Sequence, residues 1–505
     1  ASSMTVGVGS IHDPPEYQGL AHFLEHMLFL GTKKYPEGGS YQKFVSTHDG
    51  FSNAFTLEER TNYHFEIAPG HLEEGLDRFV EFFVNPLFNP ELVEREMKAV
   101  DSEHSKNLPV DMRRINQLKR EVYEAGHPAR HFSTGSLETL ERVTRNILID
   151  FYRREYSSNR MTLAVAGPQN LDTLQDWVAG RFNRVENRGL KPHVLPERYL
   201  PHSERFREIQ IKTVKDLRDL ILIFPLPSTT RYYRSRPLNM LGFLVGHEGH
   251  GSLLSLLKQE GLATGLSAGG GDYTSAYSSF EIKIQLTPQG LKRRKKVIQR
   301  VFQYIRLLRG KSLPRSVYEE VRRMAEIDYR FDEKIEGTRL VNMFSLLMQI
   351  YPLRGVENDP FLITEYRPRL FDSMLFRLIP GNMLALVAAR DVQTDQTEPI
   401  YGTEYSFINR RTKLLRKWKN LKLHPNLALP KPNPFLPESF EVVEFRGKVR
   451  LTYQSLVGLR REALGEEFTK NLEKLVGRNF SGWQELLSEA GFRGEAADRE
   501  ALEEL

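Results

Sequence analysis

His22-Phe23-Leu24-Glu25-His26 sets two imidazoles four residues apart with a carboxylate between them. On a helix, residues four apart share a face, so both rings can reach one ion while Glu25, three after His22, projects beside them. Zinc suits two histidines and a carboxylate, with a fourth position left to water. It lowers the pKa of that water towards about 7, where a carboxylate can take the proton at neutral pH. Hydrolytic metal chemistry with Glu25 as base is the expectation. The plainer alternative is a histidine pair packed in a core. The flanking Gly19-Leu20-Ala21 and Met27-Leu28-Phe29-Leu30 make the helix apolar, and two histidines and a carboxylate converging on such a helix would be costly without an ion.

A third ligand is needed. The helix predicted from Pro90 to about Asn107 carries Glu91, Glu94, Glu96, Asp101 and Glu103. Glu96 and Glu103 are seven apart and share a face, but spacing alone does not choose among these carboxylates. His247-Glu248-Gly249-His250 resembles a second metal site. Its histidines are only three apart, beside glycines and without an evident third ligand, so no metal is assigned there.

The elements that must position these groups read as α+β. A strand at Met4–Val8 precedes the histidine helix, Leu20–Leu30; strands at Gly50–Leu57 and Thr61–Ile67 follow. Helices at His71–Phe83 and Pro90–Asn107, a strand at Met161–Ala166 and a helix at Leu171–Phe182 complete a first unit, residues 1–187. Residues 188–205, rich in proline and mixed charge, read as a linker. The pattern then restarts in 206–430, with strands at Asp219–Phe224, Ser278–Leu286 and Met383–Ala388. Helices are expected at Arg236–Leu244 and Pro288–Leu308, with a loop and helix over Gly249–Gly261 between them. Two tandem, similar α/β-sandwich units, mostly antiparallel sheet covered by helices, are the economical reading. Residues 431–505 form a proline-rich exit and a charged tail, helical in flavour at Arg460–Val476 and Gly482–Ala490.

Composition narrows the classes. A chain of 505 residues is too long for one ordinary core. No apolar run reaches the roughly 18 residues of a membrane span, so no anchor and a soluble protein, of cytosol or bacterial periplasm, are expected. There are no cysteines, which excludes disulfides, thiol nucleophiles and thiolate ligands. Lys and Arg exceed Asp and Glu by only 71 to 65. The basic run Lys292-Arg293-Arg294-Lys295-Lys296 is interleaved with Leu291, Ile298, Phe302 and Ile305. It reads as the wet face of an amphipathic helix; with no aromatic platform, nucleic acid is not an expected partner. The opening residues alternate like a strand already under way, without a signal peptide's basic start and apolar centre, which reads as a processed or incomplete amino terminus.

Beyond the five-residue pattern, the stretch from Gly19 to Pro36 and Ser52-Asn53-Ala54-Phe55-Thr56 closely resemble the insulinase/pitrilysin family of H-x-x-E-H zinc peptidases. So do Arg60-Thr61-Asn62-Tyr63, Ala99-Val100-Asp101-Ser102-Glu103-His104, Tyr156-Ser157-Ser158-Asn159, Gly246-His247-Glu248-Gly249 and Arg367-Pro368. The resemblance covers roughly residues 1–440 and does not extend to the tail from about Arg446. It implies that His22, His26 and Glu103 hold one zinc per chain, that Glu96 supports the site and that Glu25 is the base. It further implies that Asn53, Ala54 and Phe55 belong to an edge strand pairing with substrate, as an extended peptide adds to a sheet edge through its backbone. Gly246, His247, Glu248 and Gly249 resemble a distal loop gripping the substrate's amino terminus.

Family members are about twice this long, with four units in two halves, and only the first half is recognisable here. An arginine and a tyrosine that the second half lends to catalysis have no counterpart. The expected function is therefore a zinc endopeptidase for small to medium peptides. The alternative is a peptide-binding half-enzyme that needs a partner half or a second copy of itself for turnover. A third reading is a scaffold that offers the basic helix near Arg293 to an acidic partner.

Overall fold

The computed structural model describes residues 1–409 and 412–437, and beyond them 440, 449–450, 470–472, 474–476, 478–480 and 483–489. The first stretch runs β1 (Ser2–Val6), α1 (Leu20–Leu28), α2 (Ser40–Thr47), the hairpin β2 (Phe51–Thr56) and β3 (Thr61–Glu66), then α3 (Leu72–Val84). It continues through α4 (Pro90–Asn107), α5 (Asp111–Glu121), α6 (Leu137–Leu140), α7 (Arg145–Glu155), β4 (Met161–Val165) and α8 (Leu171–Phe182). Its sheet is antiparallel in the order β2-β3-β1-β4, which leaves β2 as an edge strand.

β1 alternates Met4 and Val6 with Ser3 and Thr5, a pattern that by itself suits a half-wet strand. All of it is buried instead. Met4 and Val6 join the apolar cluster of α1 and α3. The hydroxyls face a helix from far along the chain, α14 (Gly337–Leu347). Ser345 Oγ lies 2.8 Å from Ser3 Oγ and accepts from Thr5 Oγ1 (2.9 Å) and Asn62 Nδ2 (3.1 Å). Glu66 accepts the Thr338 N–H at 2.9 Å and so caps the first turn of α14.

The second stretch supplies β5 (Arg207–Lys212), β6 (Arg218–Pro227), α9 (Pro237–Gly246), α10 (Leu253–Gln259), β7 (Ala263–Tyr273) and β8 (Tyr277–Leu286). After these come α11 (Pro288–Lys292), α12 (Arg294–Arg309), α13 (Arg315–Phe331), α14 and α15 (Pro368–Leu375). β9 (Leu384–Ala389), β10 (Gln396–Glu398), β11 (Thr403–Asn409) and α16 (Thr412–Lys419) close it. Seven strands pair in the order β10-β11-β5-β9-β6-β8-β7, antiparallel except for β5 with β9.

Along β6, Leu220, Leu222 and Phe224 turn to the helix-covered core. Ile221 and Ile223 turn the other way, onto a cluster that includes Ile115, Leu118 and Val122 of the α5 segment. α5 thereby docks the first stretch on the second sheet. Asp111 secures it, accepting the N–H groups of Val214 (2.8 Å) and Lys215 (2.9 Å).

Two expectations change in detail. The helix expected at Pro288–Leu308 is two, because Arg293 leaves helical geometry between α11 and α12. The basic run is also not simply wet: Arg294 pairs at 2.7 Å with Glu208, itself 1% exposed, and Lys296 pairs with Glu260. Burying a carboxylate requires such a partner.

Residues 435–505 form a separate unit. In it β12 (Val449–Arg450) pairs with β13 (Asn479–Phe480), and a helix, α17, spans Trp483–Glu489. Most of the helix expected at Arg460–Val476 lies outside the described residues. Among the described residues no helix is long and apolar enough to cross a membrane.

Candidate metal centre

α1 is held from its first turn. Asp13, buried, accepts the N–H of Gly19 (2.8 Å) and of Ala21 (2.7 Å), taking two of the donors a helix start leaves unpaired. Burial pushes its carboxyl well above the usual range, against the pull of those N–H donors. Gly19 has φ +91°, and a Cβ there would sit 2.3 Å from the Cα of Gly135. Only glycine fits on both counts. That backbone crossing brings the loop before α6 against α1, and its Thr134 carbonyl accepts the Nδ1–H of His22 at 2.7 Å.

His26 makes the matching contact on the other side, its Nδ1 bonding Glu96 of α4 at 2.9 Å. With both Nδ1 atoms engaged as donors, both Nε2 atoms are left as lone pairs, the tautomer a metal ligand needs. They face one oxygen, Glu103 Oε2, at 3.6 and 3.8 Å. The three ligand atoms lie within 4.8 Å of one another. In a tetrahedral zinc site with bonds near 2.1 Å, ligand atoms are about 3.4 Å apart; the two separations to Glu103 come near that, and the donor types suit zinc.

The two rings are shifted in opposite directions. Burial lowers His22, helped by the charge of His26. Burial also depresses His26, but the bond to Glu96 and the neighbouring carboxylates outweigh it and raise it overall. Burial lifts Glu25 to about 7, opposed by the hydroxyl of Thr56, which donates to Oε2 at 2.5 Å.

These groups line a cavity of about 360 Å³ with Asn53, Ala54, Phe55 and Thr56 of edge strand β2 and with Arg113, Ser133 and Thr134. His22, Glu25, His26, Glu103, Asn53, Ala54 and Phe55 are thus brought together, and Glu96 stands behind His26. The Gly246-His247-Glu248-Gly249 loop is not at this cavity. It follows α9 and lies against β7, where a Cβ on Gly246 would be 3.6 Å from the Ala268 nitrogen. Among the described residues no third ligand joins His247 and His250. Thr56, Arg113, Ser133 and Thr134 are given no role by the sequence. Thr56 did stand at the end of a quoted motif; the others carry no local mark.

The chain matches three family models: "Insulinase (Peptidase family M16)" at residues 1–126, "Peptidase M16 inactive domain" at 142–324 and "Middle or third domain of peptidase_M16" at 329–457. The third match corrects the reading that likeness stops near Arg446. It is 37% identical over 451 residues to the insulin-degrading enzyme of Drosophila melanogaster, covering 88% of this chain and 46% of that protein. Its structure matches crystalline pitrilysin with a TM-score of 0.84 at 27% identity, over 88% of this chain and 48% of that one. A protease from Helicobacter pylori shares the fold at a TM-score of 0.60 and 18% identity, with 92% of its chain covered. The chain spans about half the length of the curated relatives it matches.

Proposed function

The chain belongs to the insulinase/pitrilysin family of peptidases, with the family's amino-terminal half represented, and on that premise we propose that it is a zinc-dependent endopeptidase of small to medium peptides. The observation that carries the reading is the convergence of two Nε2 lone pairs and one carboxylate oxygen beside a buried carboxylate that binds none of them. His22, His26 and Glu103 would hold one zinc ion, oriented by the Thr134 carbonyl and by Glu96. When bound, the ion supplies a Lewis acid for the scissile carbonyl and acidifies a water.

The chain's own groups do the rest. Thr56 anchors one oxygen of Glu25 and leaves the other free to take a proton from the nucleophilic water and deliver it to the leaving amine. Burial, which raises this carboxyl, favours its holding the proton between the two transfers. Among the described residues β2 pairs with β3 alone, so its other edge can add an extended peptide through the backbone and hold it without regard to sequence. Asn53, Ala54 and Phe55 take this role, and the Gly246–Gly249 loop supports a distal grip on the substrate's amino terminus. In this reading 1–187 is the catalytic unit, 188–205 a linker, 206–430 a second, non-catalytic unit and 431–505 an appended segment.

A second reading is favoured by one observation, the span of about half of each long relative. The chain would then be a peptide-binding half that turns over only with a partner half or a second copy. Turnover of an internally quenched peptide of about 20 residues, measured beside Glu25→Gln with zinc content assayed in both, separates the two. Cleavage by the parent alone supports the first. Binding without cleavage, rescued by a partner, supports the second, and equal cleavage by Glu25→Gln removes Glu25 as the base.

A further inference from the structure

Arg113 is the third residue of α5 and is exposed, on the wall of the cavity that holds His22, Glu25, His26 and Glu103. Among the described residues no carboxylate lies within ion-pair distance of it. Other arginines of the same helix are committed. Arg114 donates to the carbonyls of Leu108, Tyr401 and Gly402, and Arg120 pairs with Glu58 at 3.1 Å. Arg113 is also near enough for its charge to act on His22 and on Tyr401.

The helix beneath it cannot swing. Its Ile115 and Leu118 face is buried against the second sheet, and Asp111 is tied to the Val214 and Lys215 amides. A guanidinium on a fixed element loses little freedom when it binds, which is what a recognition group requires. The remaining walls are polar: Ser133, Thr134, Asn53 and Thr56, with only Ala54 and Phe55 apolar. The two carboxylates facing the same space, Glu25 and Glu103, are committed to proton transfer and to the metal in the proposed function, on which this inference rests.

We propose that Arg113 is a specificity-determining residue, selecting peptides that place an acidic side chain beside the scissile bond. A carboxylate meets a planar guanidinium with two parallel hydrogen bonds, whereas a lysine in the same place meets a like charge. For a partly exposed pair the preference for acid over lysine is expected at about tenfold, weakening as salt rises.

The test is binding, so it does not depend on whether this chain turns over alone. Fluorescent peptides of one sequence, with Glu, Gln or Lys placed in turn at each of several central positions, are titrated into the zinc-loaded Glu25→Gln chain. The same series is run with Arg113→Ala and Arg113→Glu added, zinc content and melting temperature being followed in every variant. The expected result is one position where Glu binds about tenfold tighter than Lys, a ratio near one in Arg113→Ala and a reversed ratio in Arg113→Glu. A preference that survives Arg113→Ala, or an equal loss for all three peptides, would overturn the inference and leave the peptidase reading standing. No binding of any peptide to the zinc-loaded chain would overturn the peptide-site reading and this inference with it.

Discussion

Single side chains around the candidate centre divide into groups that would touch the ion and groups that aim them. Glu96 is of the second kind: its bond to His26 Nδ1, 2.9 Å long and largely shielded from solvent, sets the tautomer and the ring plane. Glu96→Ala should lower zinc affinity about 10- to 100-fold, as loss of such a partner does elsewhere. Competition with a chromophoric chelator measures it. Glu96→Gln, which keeps an acceptor in place, should fall between the two. An unchanged affinity in Glu96→Ala would mean that α1 alone orients His26. Thr56→Val should take up as much zinc as the parent, because Thr56 bonds Glu25 and none of the three candidate ligands.

At the scale of elements, the geometry rests on how α1 begins. Asp13 lies six residues before Gly19 and reaches into the first turn, so the helix start is tied to the loop that precedes it. Asp13→Ala strips that acceptor and should cost about 2 kcal/mol. In a chain of this size that lowers the melting temperature by about 2 °C in a thermal scan. Asp13→Asn keeps one oxygen and should lose less. β2 and α5 matter differently: the first offers a sheet edge, the second a platform fixed against the second sheet.

The whole molecule is stitched across long sequence separations, and one stitch reports on pH. Glu155, at the end of α7, pairs with Arg154, with Arg160 ahead of β4 and with His193 in the 188–205 connection. Burial alone would raise its carboxyl, but the hydrogen bonds from His193 and Arg154 prevail and bring it down to about 2. A folded-state value below the unfolded one stabilises the fold above the unfolded pKa, near 4.3, and the gain fades as pH falls towards 2. Glu155→Gln should therefore be less stable than the parent at pH 6, by on the order of 3 kcal/mol or less, and equal to it near pH 2. Urea unfolding of both at a series of pH values tests this; a gap that persists at pH 2 would place the effect in packing instead.

Much of the architecture was legible because it is written in local periodicity. α1, α3, α4 and α8 and strands β1 to β4, β6, β8 and β9 all lie where apolar spacing placed them, within a few residues. The spacing of His22, Glu25 and His26 also set their shared face, since helix geometry alone turns residues three and four apart to one side. α5 was missed although Ile115, Leu118 and Val122 have helical spacing, because charged and amide residues fill the positions between them. α13, α14, β5 and β7 were missed as well, their pattern being set by what covers them.

Only tertiary structure singled out Glu103 from the other carboxylates of α4 by geometry, through the way α4 crosses α1. It alone brought the Thr134 carbonyl to His22, 112 residues away, and Arg113 to the same cavity. It alone covered the hydroxyl face of β1 with α14, where Ser345 meets Ser3 across 342 residues. Periodicity records which way a side chain points. What stands opposite it is decided by packing between distant segments, which leaves no mark in the local sequence.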